Sequence, residues 1–201
     1  MTTRKLAAIF GMVVALTLVG TAGAQAALVR WWVTPPTGEL TPGTPLTVGT
    51  EAKMLVSESS GAIGKCVLKD LEVVENPLST TLNGIDKMTA FGGACKGYPW
   101  PCTTAETASI LGIGLPWASV LTEPSAGIYG DSFSGVSIEV KCPGSGASTV
   151  YTASLFEPQV LVNKLKFTLA NNALKSGIHE IHFVGIDKLI PTGGYTKIKA
   201  K

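Results

Sequence analysis

Histidine is almost missing from this sequence and charge is thin, with two histidines and 15% Asp, Glu, Lys and Arg in 201 residues. That leaves little room for histidine-based acid–base chemistry. The two present, His179 and His182 in IHEIHF, are three apart, whereas the HExxH zinc helix needs them four apart on one face. In a β-rich run an odd spacing sends them to opposite faces. No G-x-S-x-G, Walker loop, S-x-x-K or calcium loop is present, which removes the commonest nucleotide, hydrolase and cation signatures. Cys-x-x-Cys, the spacing favoured by zinc sites and dithiol redox centres, is missing too. We therefore expect no catalytic residue, no metal and no cofactor.

The N-terminus reads MTTRKLAAIFGMVVALTLVGTAGAQA, with Arg4 and Lys5 ahead of an apolar run from Leu6 to Gly20 and a small-residue stretch ending at Ala26. This is the three-part plan of a secretory signal over residues 1–26, cut before Ala27. An uncleaved membrane anchor is the alternative. After cleavage no membrane span is expected. Arg4 and Lys5 carry the whole formal charge of +2, so the mature chain holds 14 basic and 14 acidic side chains. A neutral domain has no overall field to gather a polyanion, so nucleic acid is not an expected partner.

Residues 27–49 comprise an N-terminal strand around Trp31 and Trp32, then TPPTGELTPGTPLTVG, dense in Pro, Thr and Gly. Residues 50–201 read as a single β domain. In VSIEVKC at 136–142, Val136, Ile138, Val140 and Cys142 alternate with polar residues, the mark of a strand with one buried face. Further strands are expected at 62–75, 85–91, 104–113, 149–156, 161–169 and 178–186, separated by turn-rich segments such as NPLSTTLNG and CPGSGAS. The expected fold class is all-β, an antiparallel β-sandwich or partly open barrel. The tetrapeptide GIDK occurs at 84–87 and 185–188 without matching flanks, so it reads as a recurring strand-edge turn solution or chance rather than a duplicated unit.

All four cysteines, Cys66, Cys95, Cys102 and Cys142, lie beyond the leader, and an even count in an exported chain implies two disulfides. If 62–75 and 85–91 form a hairpin, Cys66 falls beside Cys95, and a reversal around TEPSAG brings Cys102 near Cys142. The rival scheme joins Cys95 to Cys102 and Cys66 to Cys142. Hairpin register favours the first, which makes YPWP a tether presenting Tyr98 and Trp100 as ligand-contact aromatics. Trp117, in GLPWASVL, reads as core.

GDSFSG at 130–135 has a surface likeness to serine-hydrolase signatures, with Ser132 as nucleophile, but both histidines follow it and neither lies in a family spacing. LIPTGG at 189–194 approaches a wall-sorting signal in the wrong order, with only YTKIKAK after it. Lys197, Lys199 and Lys201 alternate as on a charged edge strand.

With its leader, four cysteines, Leu115-Pro116-Trp117 element and late Gly-Ile-Asp-Lys-Leu strand end at 185–189, the chain resembles small uncharacterised secreted bacterial four-cysteine proteins. The resemblance implies an exported all-β domain and no activity. The expectation is an exported, secreted or cell-envelope domain that is not an enzyme and binds an envelope glycan or protein or serves a structural role. A secreted serine hydrolase built on Ser132 is the alternative.

Overall fold

A computed structural model describes residues 28–201 apart from 59–60, 62, 98–99, 104–105 and 171. The leader and Tyr98 lie outside the described residues.

The described chain is all strand and turn. In order it forms β1 (Trp31–Thr34), β2 (Gly38–Glu39), β3 (Leu46–Glu58), β4 (Ile63–Glu75), β5 (Ile85–Lys96), β6 (Thr107–Gly112) and β7 (Trp117–Ser125). There follow β8 (Ile128–Lys141), β9 (Ser148–Phe156), β10 (Gln159–Leu161), β11 (Lys164–Phe167), β12 (Ala173–Ser176), β13 (His179–Pro191) and β14 (Lys197–Ala200). The expected antiparallel all-β architecture is realised as a barrel that closes on itself, because β13 pairs with β3 from Ile181 opposite Glu58 to Pro191 opposite Val48. Three staves of the wall consist of two strands in series, β6 with β7, β9 with β10, and β11 with β12. Counted with β3, β4, β5, β8 and β13, they make an eight-stave meander. Closure removes the free edges that an open sheet of this size would have to protect.

Alternation in the sequence sets the wall. On β3, Leu46, Val48, Ala52, Met54 and Val56 are buried on one parity, and on β8 Val136, Ile138 and Val140 are. An eight-stave barrel is just wide enough for its side chains to fill. Here Phe183 meets Phe91 and Phe156 edge-on, each at 6.2 Å, and Phe91 packs on Trp117 at 5.5 Å. Trp117 is thus a core residue, its indole N–H donating to the Ile113 carbonyl.

The end where β3, β5 and β8 begin is closed by a small sheet in the order β14, β1, β2. Trp31 is fully buried there and donates its indole N–H to the Ile85 carbonyl. Asn76, also fully buried, accepts the Trp31 backbone N–H and donates to the Trp31 and Leu40 carbonyls. The Pro/Thr/Gly-rich stretch is therefore tied into the fold. Its Gly38 and Glu39 pair with β1, and its last residues, Leu46 to Gly49, already run along β4 opposite Val74 to Leu71.

The segment 161–169, expected as one strand, contains a hairpin. β10 ends at Leu161 and β11 begins at Lys164, with Asn163 at φ 56° between them, a conformation Asn adopts more readily than most residues. Its amide oxygen accepts the Ile198 N–H and its amide NH2 donates to the Thr196 carbonyl, which pins the turn to β14. Apolar spacing could not reveal a turn that depends on one asparagine.

Both disulfides follow hairpin register. Cys66 lies directly opposite Cys95 on β4 and β5, and Cys102 reaches Cys142 just past the end of β8. Two disulfides point to an oxidising compartment. No helix among the described residues is long and apolar enough to cross a membrane.

Candidate functional site

Trp100 sits at the barrel end where β4 and β13 begin. Its ring is half-buried and stacked on His179, with centroids 4.0 Å and planes 7° apart, and its carbonyl accepts the Tyr151 hydroxyl. His179 in turn places Nδ1 3.1 Å from the buried Glu58 carboxylate. One face of the Trp100 ring is therefore taken up inside the molecule. His182 lies on the opposite parity, its Nε2 2.9 Å from Glu180.

Ser132 points outward from β8, opposite Val120. It lies near the start of β8, while both histidines lie near the start of β13, which runs from the other end of the barrel and is separated from β8 by two staves in one direction. The fold gives Ser132 no histidine as base. Among the described residues, the one group of three metal-ligand side chains within 4.8 Å of one another is Cys102, Glu106 and Cys142, whose two sulfurs are already bonded to each other. Glu106 accepts the backbone N–H groups of Thr103 and Ser145, which hold its carboxyl below the usual range.

Two features appear that the sequence reading did not single out. The first is a chamber of carboxyls in the lumen above the Trp31 plug. Asp70 and Glu72 of β4, Asp86 of β5, Asp131 of β8 and Asp187 of β13 are all buried. The carboxyls face one another, Asp70 with Asp187 and Asp86 with both Glu72 and Asp131. The Thr50 hydroxyl accepts the Asp70 backbone N–H and, at the carboxyls of Asp70 and Asp187, works against the rise, while Ser119 donates its hydroxyl to Asp131. Burial is the main cause that raises every one of these carboxyls above its ordinary value, because a charged form is costly away from water. Neighbouring acids add to it, Asp187 on Asp70 and Asp131 on Asp86, and Asp131 is pushed up to about 6. With no cationic side chain among the groups that shift them, these carboxyls hold their protons to higher pH than free Asp or Glu. The two GIDK segments meet here, since each sends its aspartate, Asp86 or Asp187, into this chamber and its lysine, Lys87 or Lys188, to the outer wall.

The second feature is on the outside. Across β13, β3, β4 and β5 the outward side chains leave a hollow of about 660 Å³ floored by Leu55, Val67, Ala94 and Val184 and flanked by Lys53, Lys65 and Lys96. A second hollow of about 570 Å³ shares Val184 and Gly185 with it and continues over β11, past Ile186 to Leu169 and Lys166. Register explains the arrangement. One row across the wall reads Lys96, Lys65, Leu55, Val184 and the next reads Ala94, Val67, Lys53, Ile186, Lys166. The residues lining the two hollows include four lysines and no acid. Glu51 lies one row further on, opposite Lys188.

No protein family, curated protein or solved structure matches this chain.

Proposed function

We propose that the protein is an exported, non-catalytic barrel that binds a component of the cell envelope. The observation that carries this reading is the outer-wall trough. Apolar side chains such as Leu55 and Val67 are each more than 40% exposed there and form a concave surface of the size of a ligand site. Buried side chains line the lumen and Trp31 covers its lower end, whereas the trough opens to solvent on the outer wall. The leader and the two disulfides supply the address. An envelope glycan or protein fits the sequence-based expectation, and the trough favours a partner with an apolar part.

Co-sedimentation of the mature, oxidised protein with envelope material from the secreting cell tests this. The expected result is pelleting that the paired substitution Leu55→Ser and Val67→Ser weakens and Trp100→Ala leaves largely intact. The reverse pattern would move the site to the Trp100 loop, and a protein that stays in the supernatant under all conditions would remove the envelope-binding reading. Peptide mapping of the recovered protein, with Ala27 expected as its first residue, checks the export step.

A further inference from the structure

The wall places two like charges directly opposite each other, Lys65 on β4 and Lys96 on β5, one register position from the Cys66–Cys95 disulfide. Directly opposed like charges destabilise a strand pair, and here the covalent link holds the strands together beside them. Both lysines are exposed, as is Lys53 diagonally across Val67 and Leu55. None of the three makes a salt bridge among the described residues. A lysine can lay its methylene stem along apolar surface while its ammonium reaches water. Three of them around the same floor give a dry-walled trough with a positive rim.

We propose that this trough binds a monomeric anionic amphiphile, with the acyl chain on the Leu55, Val67 and Val184 floor and the anionic headgroup between Lys65 and Lys96. An anion there offsets the repulsion between the two ammonium groups. The apolar floor continues across β13 towards Leu169. At a strand spacing of about 4.8 Å, the path from β5 to β11 covers four inter-strand steps, or roughly 19 Å along the wall, enough for a long acyl chain. A neutral glycan would use neither the charge nor the floor. The proposal rests on the binding role put forward above and names the ligand class for that surface.

The probe is dansyl-labelled undecanoic acid, titrated into the full mature chain with both disulfides intact. Expected are a saturable rise in dansyl fluorescence at one equivalent, displacement by dodecanoate, and little displacement by dodecyltrimethylammonium. The pair Lys65→Glu and Lys96→Glu should weaken binding roughly tenfold, as expected when exposed charge contacts are lost and repulsions added, with the thermal midpoint maintained because both side chains are in solvent. Equal displacement by the cationic detergent, or unchanged affinity in the double variant, would overturn the proposal. So would binding to anionic phosphatidylglycerol vesicles without binding of the monomeric probe, which would assign the trough to a membrane surface. A protein-concentration-dependent dimer that the same lysine variants alter would assign it to a second copy of the chain. If the probe fails to bind while the protein still pellets with lipid-extracted envelope material, the ligand class is wrong and the binding role stands.

Discussion

Asp86 on β5 and Asp131 on β8 act on each other across the lower lumen, both fully buried, and no cationic side chain is among the groups that shift either one. Their carboxyls titrate higher in the folded chain than in an unfolded one. The native state therefore binds more protons than the unfolded state between about pH 4 and the folded values. Stability from these groups is fully present below the unfolded values, and it is lost as pH rises through about 6 for Asp131, with Asp70, Glu72 and Asp86 shifted in the same direction. Asp131 alone accounts for on the order of 3 kcal/mol between acid and mildly alkaline solution. Denaturant midpoints measured from about pH 5 to about pH 8 should fall steadily. A flat or rising profile would contradict a chamber that holds protons.

Replacing one member of the chamber by its neutral isostere separates charge from packing. Asp86→Asn keeps the shape and removes a titrating group between Glu72 and Asp131. The variant should match the parent near pH 5 and exceed it by about 1–3 kcal/mol near pH 8, with a shallower pH profile. Equal destabilisation at both pH values would mean that Asp86 serves as a structural acceptor rather than as a titrating group.

Asn76 is the clasp between barrel and plug. Its fully buried side chain satisfies the backbone N–H of Trp31 at 2.8 Å and the Trp31 and Leu40 carbonyls at 2.9 Å each. Asn76→Ala strands the Trp31 N–H and the Leu40 carbonyl, while the Trp31 carbonyl keeps the Leu40 N–H, and one unsatisfied buried group costs about 1–3 kcal/mol. The expected loss is on the order of 3 kcal/mol by chemical denaturation. Asn76→Asp should recover only the bond from the Trp31 N–H, since a carboxylate cannot donate to the two carbonyls.

The strands and the disulfides were legible because both depend on short-range periodicity. Val136, Ile138 and Val140 announce a buried face by themselves, and the hairpin centred on NPLSTTLNG is enough to bring Cys66 to Cys95. Barrel closure depends on β13 finding β3, more than a hundred residues away in sequence, and no local pattern carries that. The acidic chamber was hidden for another reason. In CVLKDLEVV the parity with Cys66, Leu68 and Val74 also holds Asp70 and Glu72, whereas the other parity holds Val67, Lys69, Leu71 and Val73, so polarity alone does not say which face is inside. GIDK was the available signal, because its two aspartates precede lysines in strands of opposite direction and still enter the same space. The lysine-flanked trough could not be read at all, since it is assembled from four strands whose register becomes fixed only when the wall closes.

Glycine positions on the wall test the register directly. At Gly93 on β5 an added Cβ would lie 2.1 Å from the Val67 carbonyl oxygen and 2.9 Å from Leu68 Cα, both backbone atoms that cannot swing away. At Gly49 on β3 it would meet nothing within 4 Å. Gly93→Ala should cost several kcal/mol, about 3 or more, because β4 and β5 must separate beside the Cys66–Cys95 link. Gly49→Ala should be neutral or stabilise by up to about 1 kcal/mol through the unfolded state. Similar midpoints for the two variants would mean that β4 and β5 are not paired in this register.

The Cys102–Cys142 disulfide governs the loop that carries Trp100. It closes a separation of 40 residues and joins that loop to the end of β8, while the Tyr151 hydroxyl and the His179 ring hold Trp100 itself. Joint replacement by Cys102→Ala and Cys142→Ala removes a constraint worth about 2–4 kcal/mol on the unfolded chain. It also frees one side of the tether, so the stacked ring should gain solvent exposure before the barrel itself unfolds. The measurement is the Trp100 contribution to fluorescence, taken as the difference between each protein and its Trp100→Phe counterpart. A red shift in that difference spectrum at low denaturant, with β-sheet circular dichroism unchanged, is the expected outcome. An unshifted difference spectrum would place the hold on Trp100 in Tyr151 and His179 alone, with the disulfide contributing to global stability only.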